Sequence, residues 1–244
     1  MRNQNRDSSN YDFVIGSAAK FGRGCASPSR DQKPAPVRSQ FFPAIGNRQS
    51  PAPPPLFSSL KVLVAITGAT GVIYAQRLLD NLNPRQHEIH VVLSRYAQQV
   101  IALELPDGLR LPAAAQIHSL KSMNAPFASG SNPPDAMVVI PCTMGTMGRI
   151  AHGYSEDVLL RAADVALKEK KKLILVPRET PLSLVHVKNM ELLLLAGATI
   201  LPANPSFYSG ARTARQIADT VVSRVLDHLG IKNDLAPRWA QEQE

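Results

Sequence analysis

Cysteine is nearly absent from this chain: Cys25 and Cys142 are the only two in 244 residues. Two thiols build neither a disulfide framework nor a zinc site, which fits a reducing compartment. No apolar run approaches the roughly 18 residues that a membrane helix needs, and the N-terminus lacks the apolar segment of a secretory signal; no membrane partner is expected. Aromatic residues make up only 5% of the chain. No Lys/Arg stripe interleaved with aromatics stands out, so nucleic acid is not an expected partner either. The six histidines (His87, His90, His118, His152, His186, His228) and the acids show no ligand spacing such as H-E-x-x-H, and no metal is expected.

The net charge of +8 is unevenly spread. Residues 1–56 hold eight Lys/Arg against three Asp, a net +5, which leaves +3 for the remainder. Residues 1–60 are rich in Pro, Ser, Arg and Asn, with the run PAPPP and no apolar period. Such a composition buries too little surface to offset ordering entropy. It reads as a disordered extension, dispensable or, by its Arg/Ser-rich and acid-poor character, a mitochondrial transit peptide. Without that second reading the expected location is the cytoplasm.

From Lys61 the pattern changes to alternating strands and helices. The apolar segments KVLVAI (61–66), HEIHVVLS (87–94), DAMVVIPC (135–142), KKLILVP (171–177) and ATILPA (198–203) read as strands. Helical stretches are expected after residue 71 and over 95–104, 156–170, 181–196 and 211–229. Runs rich in β-branched residues without polar alternation mark strands buried on both faces. The alternation predicts an α/β fold, a Rossmann-like doubly wound parallel sheet flanked by helices in one domain over 61–244.

TGATG (67–71) lies between the first strand and a helix. In that context glycines let a backbone approach a phosphate, and a helix N-terminus offers free N–H groups and a favourable dipole. A purely structural tight turn is the other reading. Three features disfavour a dinucleotide: Tyr74 stands where a third glycine is needed, Ser94–Arg95 stands where an acid holds an NAD ribose, and no tyrosine is followed four residues later by lysine. A mononucleotide suits the turn better.

Taken in order, TGATGVIYAQRLL, HVVLS, Glu104, SGS (129–131), PCTMGTMGRIAHGY, RAADVALKE, PRETPLS, PANPSFY, RVLDHLG and the closing Arg238–Trp239 resemble the UbiX/phenylacrylic acid decarboxylase family of flavin prenyltransferases. The resemblance covers Lys61 to about Trp239. It implies that FMN is held by Gly68, Ala69 and Thr70, by Ser94, by the loop Thr143, Met144, Gly145 and Thr146, and by Arg161. It implies that Lys168, Arg178, Tyr208 and Arg224 grip the phosphate of dimethylallyl monophosphate, the donor that the lack of magnesium-binding Asp clusters favours. Trp239 and Glu104 match positions lining or closing the site. Catalytic roles fall to Glu179, as proton-transfer group, and to Arg178, Lys168 and Glu104. Thr70 stands where serine is common, and Gly145 where some members carry lysine, so a charge contact at 145 is lost or supplied elsewhere.

The activity so implied joins a dimethylallyl group to N5 and then C6 of reduced FMN without a metal. The prenylated FMN would serve a UbiD-type decarboxylase, and the enzyme would be a large homo-oligomer, a dodecamer by resemblance, with sites between subunits. By pattern alone, Arg178–Glu179 is equally a solvated strand end, Lys168 a solvated lysine, Tyr208 a packed aromatic and Arg224 an exposed cation. Only the resemblance gathers them around one anion. Cys142, after a buried strand and with no histidine near it in sequence, reads as a small core residue. Two rivals stay open: an FMN-dependent cysteine decarboxylase of related fold, and a flavin carrier without chemistry.

Overall fold

The computed structural model describes residues 59–239. The expected extension over 1–60, save Ser59 and Leu60, lies outside the described residues, as does Cys25. Six strands form one parallel sheet: β1 (Lys61–Ile66), β2 (Glu88–Leu93), β3 (Gln116–His118), β4 (Ala136–Cys142), β5 (Lys172–Pro177) and β6 (Thr199–Ile200), in the order β3-β2-β1-β4-β5-β6. Around it lie α1 (Val72–Asp80), α2 (Arg95–Glu104), α3 (Met144–Ala151), α4 (Val158–Lys168), α5 (Leu184–Leu195) and α6 (Ala214–Leu229), with a short 3-10 turn at Pro126–Ala128. This is the doubly wound order, and its direction reverses between β1 and β4. In open α/β sheets this switch point, at the carboxyl ends of the strands, is where ligands bind.

The pleat explains why β1 is apolar without a break. Val62, Val64 and Ile66 point to one side and join Val138, Ile140, Val222 and Leu226 in the core under α1 and α6. Leu63 and Ala65 point to the other and meet Met137, Val139, Leu160 and Ala163 under α3 and α4. Each fully buried side chain of this kind stabilises the fold by about 1.5–3 kcal/mol. Truncating Leu63 to Ala would cost about 2–5 kcal/mol.

Several elements depart from the sequence expectation. β3 is an additional strand, three residues long, with Gln116 and Ile117 exposed. The expected loop Thr143–Thr146 is the start of α3: Thr143 is the N-cap and accepts from the Thr146 N–H. Gly145 and Gly148 lower helix propensity there, which hid the helix. α5 starts at Leu184, after the N-cap Ser183 and its capping box with His186, rather than at the expected 181. β6 is only two residues long because Pro202 has no N–H for the ladder, although Leu201 and Ala203 still donate to Leu175 and Pro177 carbonyls.

Candidate active site

The turn after β1 is built tightly. A side chain on Gly68 would collide with the Cβ of Tyr96, near the start of α2, so only glycine fits. Gly71 adopts φ 99°, a left-handed conformation that glycine takes without strain. Thr67 ties this turn to the end of β4: its hydroxyl donates to the Pro141 carbonyl at 2.7 Å and accepts from the Thr143 N–H at 2.8 Å. α2 starts against Gly68 and ends over Gly71, bringing back Glu104. The Glu104 carboxylate accepts from the Gly71 N–H at 2.9 Å and the Val72 N–H at 2.8 Å. The first N–H groups of α1, expected to receive a ligand phosphate, therefore serve the protein's own carboxylate. What is left for a flavin here is the Gly68–Ala69–Thr70 edge.

The neighbouring turns are open. Ser94 is the N-cap of α2 and accepts from the Ala97 N–H. Thr143 and Thr146 bond through their hydroxyls at 2.9 Å over the first turn of α3. A side chain at Gly145 would meet no atom within 4 Å. Next to Ser94 and Thr146 opens a cavity of about 770 Å³ whose walls include Leu93, Arg95, His118, Lys121, Arg149 and Asp157, and none of the residues expected to hold FMN lines it. A flavin needs such space and such hydroxyl and N–H donors, and the residues present fit it. Arg161, half-buried on α4, donates to the Ala128 carbonyl at 3.0 Å and pairs with Asp164 at 2.7 Å.

Behind the cavity, His90 is fully buried, with His118 at 2.8 Å on one side and Glu88 at 2.8 Å on the other. Burial, with His90 close by, holds the His118 imidazole below its ordinary range. Cys142 is buried as expected, and burial pushes its thiol up to about 12. A thiolate nucleophile is therefore disfavoured.

Arg178, Glu179, Tyr208, Arg224 and Trp239 fall at the other side of the same sheet edge. Arg178 and Glu179 follow β5 and line a hollow of about 300 Å³. Tyr208, Arg224 and Trp239 line a second of about 340 Å³, and Asn204 belongs to both walls. The Tyr208 and Trp239 rings meet edge to face at 5.6 Å. Arg224 pairs with Asp227 at 2.9 Å, and Arg238 holds the same carboxylate at 2.7 Å. Tyr74 links the two regions. Its ring lies 2.9 Å from where a Cβ on Gly71 would be, and burial raises its phenol while the nearby Arg178 charge opposes that rise.

Lys168 does not join them. It ends α4, three residues after which the chain turns into β5 at Lys172. It therefore stands at the amino edge of the sheet, whereas Arg178 stands at the carboxyl edge, the length of β5 or about 20 Å away. There it pairs with Glu169 against Gly130 of the SGS segment. The gathering of Lys168 with Arg178 around one phosphate is thus not achieved within one chain. Asn204 and Arg149 line these hollows and Tyr74 stands between them, and the sequence reading gave none of the three a site role. Tyr74 was visible only as the bulky residue that spoils a dinucleotide turn. Among the described residues no group of three or more His, Cys, Asp or Glu is arranged to hold a metal ion.

Comparison with known proteins bears on the family and the fold. A family model described as Flavoprotein matches residues 55–227. The flavin prenyltransferase UbiX of Methanocaldococcus jannaschii is 43% identical over 182 residues, which are 74% of this chain and 98% of that protein. The crystal structure of AnUbiX (PadA1) in complex with FMN and dimethylallyl pyrophosphate is similar with a TM-score of 0.70 at 37% identity, covering 76% of this chain and all of that one. A dodecameric FMN-dependent UbiX-like decarboxylase from Escherichia coli O157:H7 is similar with a TM-score of 0.68 at 41% identity, covering 75% of this chain and all of that one.

Proposed function

We propose, for a chain that belongs to the flavoprotein family and within it to the flavin prenyltransferases, that it transfers a dimethylallyl group from a dimethylallyl phosphate to FMN. The observation that carries this reading is one sheet edge with two unlike ends. One holds a roomy cavity with hydroxyl-capped turns, and the other holds Arg178, Glu179, Tyr208 and Arg224 around two joined hollows. A flavin carrier would have no use for the second end.

Reduced FMN supplies the nucleophilic N5 and C6 for such a transfer. The chain's own residues bind, orient and shield. A phosphate is costly to remove from water unless it is paired. Arg178 and Arg224 offer forked, charge-assisted hydrogen bonds of about 1.5–3 kcal/mol each, which also stabilise the group as it leaves. In binding it, Arg224 exchanges part of its pairing with Asp227 for the phosphate. Glu179, exposed beside Arg178, is suited to carry a proton to or from the departing phosphate. Tyr208 and Trp239 supply aromatic walls that keep water from the allyl group. Glu104 positions the flavin edge of the first turn by capping α1. The donor we favour is the monophosphate, whose charge Arg178 and Arg224 can pair by themselves.

Assembly supports the reading. Of α5, only Asn189 and Leu193 are buried, while Leu184, Val185, Leu194 and Leu195 are more than half exposed. Apart from the exposed Lys188–Glu191 pair, so much bare leucine and valine on one helix calls for cover, here by other subunits. A homo-oligomer, a dodecamer by analogy with the Escherichia coli structure, would cover it and would bring Lys168 of one copy to the site of another. The product would pass to a UbiD-type decarboxylase. We place the enzyme in the cytoplasm, or in mitochondria if residues 1–60 act as a transit peptide.

The decisive experiment is mass spectrometry of the flavin after anaerobic incubation with reduced FMN and either dimethylallyl monophosphate or diphosphate. A flavin heavier by one C5 unit is expected with the monophosphate. Product with the diphosphate alone would correct the donor, and FMN bound but unchanged with both would overturn the activity.

A further inference from the structure

We infer that Arg149 binds the phosphate of the flavin mononucleotide and supplies the cation that position 145 lacks. This rests on the flavin reading above.

Gly145 lies in the first turn of α3 with open space where a side chain would begin. Arg149 comes one helical turn later on the same face, and helical side chains lean towards the N-terminus. Its Nε donates to the Gly145 carbonyl at 3.3 Å, and its Nη2 reaches the Thr146 hydroxyl at 3.5 Å. The guanidinium thus stands beside the first turn of α3, while the space at the Gly145 Cα itself stays open. It also faces the cavity beside the hydroxyls of Thr143 and Thr146.

A cation folded back over a helix N-terminus is in the wrong place electrostatically, because the dipole there is already positive. Arg149 makes no ion pair within 4 Å among the described residues, although Glu156 and Asp157 line the same cavity. Asp157 is occupied in capping α4. Arg95, at the start of α2, and Lys121 face the cavity and are likewise unpaired among the described residues. An anion at this spot would reverse the sign of every one of these contacts. The turn after β1 cannot take it, since Glu104 occupies the Gly71 and Val72 N–H groups. A phosphate suits the planar guanidinium fork, which offers two parallel N–H bonds.

The test uses the full chain freed of flavin, with FMN and riboflavin as probes that differ only in the phosphate. Affinities are read by flavin fluorescence. Arg149→Gln is expected to weaken FMN about tenfold or more while changing riboflavin less than about twofold. Adding Gly145→Lys to that variant is expected to restore part of the lost FMN affinity. Unchanged FMN affinity in Arg149→Gln would overturn the assignment, and so would an equal loss of both flavins, which would mark a structural role. A wild-type chain that binds no FMN would instead overturn the flavin reading, and this inference with it.

Discussion

The two ends of the sheet edge are built on opposite terms. Around β1, β2 and β4 the chain satisfies itself: Thr67 ties two turns, Glu104 caps α1, and Ser94 and Thr143 cap α2 and α3. Around β5 and β6 little is finished. Arg178, Glu179, Tyr208 and Trp239 are exposed, α5 presents leucines to solvent, and Lys168 lies at the far edge of the sheet. One subunit can therefore fold a flavin cradle by itself, whereas the prenyl-phosphate end needs other copies of the chain. Rigid caps suit a cofactor that must be held, and exposed cations suit a charged substrate that must enter and leave.

The sharpest way to break this division is to damage the unfinished end alone. Arg178→Ala is expected to lower turnover by about 100-fold or more while FMN stays bound; parallel loss of flavin would erase the distinction. Assembly can be tested with the same variant. Lys168→Ala and Arg178→Ala subunits, each inactive alone, are expected to regain roughly a quarter of wild-type activity when dissociated and mixed, as random pairing across an interface predicts. No recovery would mean that Lys168 serves no neighbouring site.

The finished end predicts losses of stability instead. Glu104→Ala strands the Gly71 and Val72 N–H groups at a partly buried helix start, a cost of about 2–3 kcal/mol. A melting temperature lower by roughly 5–10 °C would register it. Added phosphate should recover part of this by occupying the vacated helix start, and a variant as stable as wild type would contradict the capping role. Thr143→Ala removes an N-cap and should cost about 1 kcal/mol in chemical denaturation, with weaker FMN binding alongside.

The smallest effect concerns pH. Burial and His90 lower the His118 pKa below its ordinary 6.5, so the unfolded chain takes up a proton that the folded one resists. The stability this group contributes is complete above pH 6.5 and falls as the pH drops below it, until the folded imidazole also titrates. The groups around it are His90 backed by Glu88, and the cavity's Arg95, Lys121, Arg149, Glu156 and Asp157. His118→Asn should therefore lose less stability than wild type between pH 7 and 5. His87, lowered likewise by burial, contributes equally to both proteins. Matching profiles would remove His118 from the account.

Much of this was legible from local pattern. The runs KVLVAI, AMVVIPC and KLILVP had to be interior parallel strands because both faces are apolar, and their alternation with helices left one fold class. Motif order supplied the candidate flavin and phosphate residues. α3 was not legible, since two glycines weaken its pattern and a cap at Thr143 rescues it. α5 starts three residues later than 181 because Ser183 and His186 close a capping box there.

By itself, then, the chain's sequence determined strand and helix identity, the two-sided core and the chemistry on offer, because these depend on side chains close together along the chain. Only the tertiary structure decided which groups meet. Residue 104 returned to cap the turn at 71, the carbonyl edge of β5 kept Arg178 while its amino edge carried Lys168 away, and the guanidinium of Arg149 folded back onto the first turn of α3. Hydrogen bonds and charges act over a few ångströms in space, and distances along the chain do not report them.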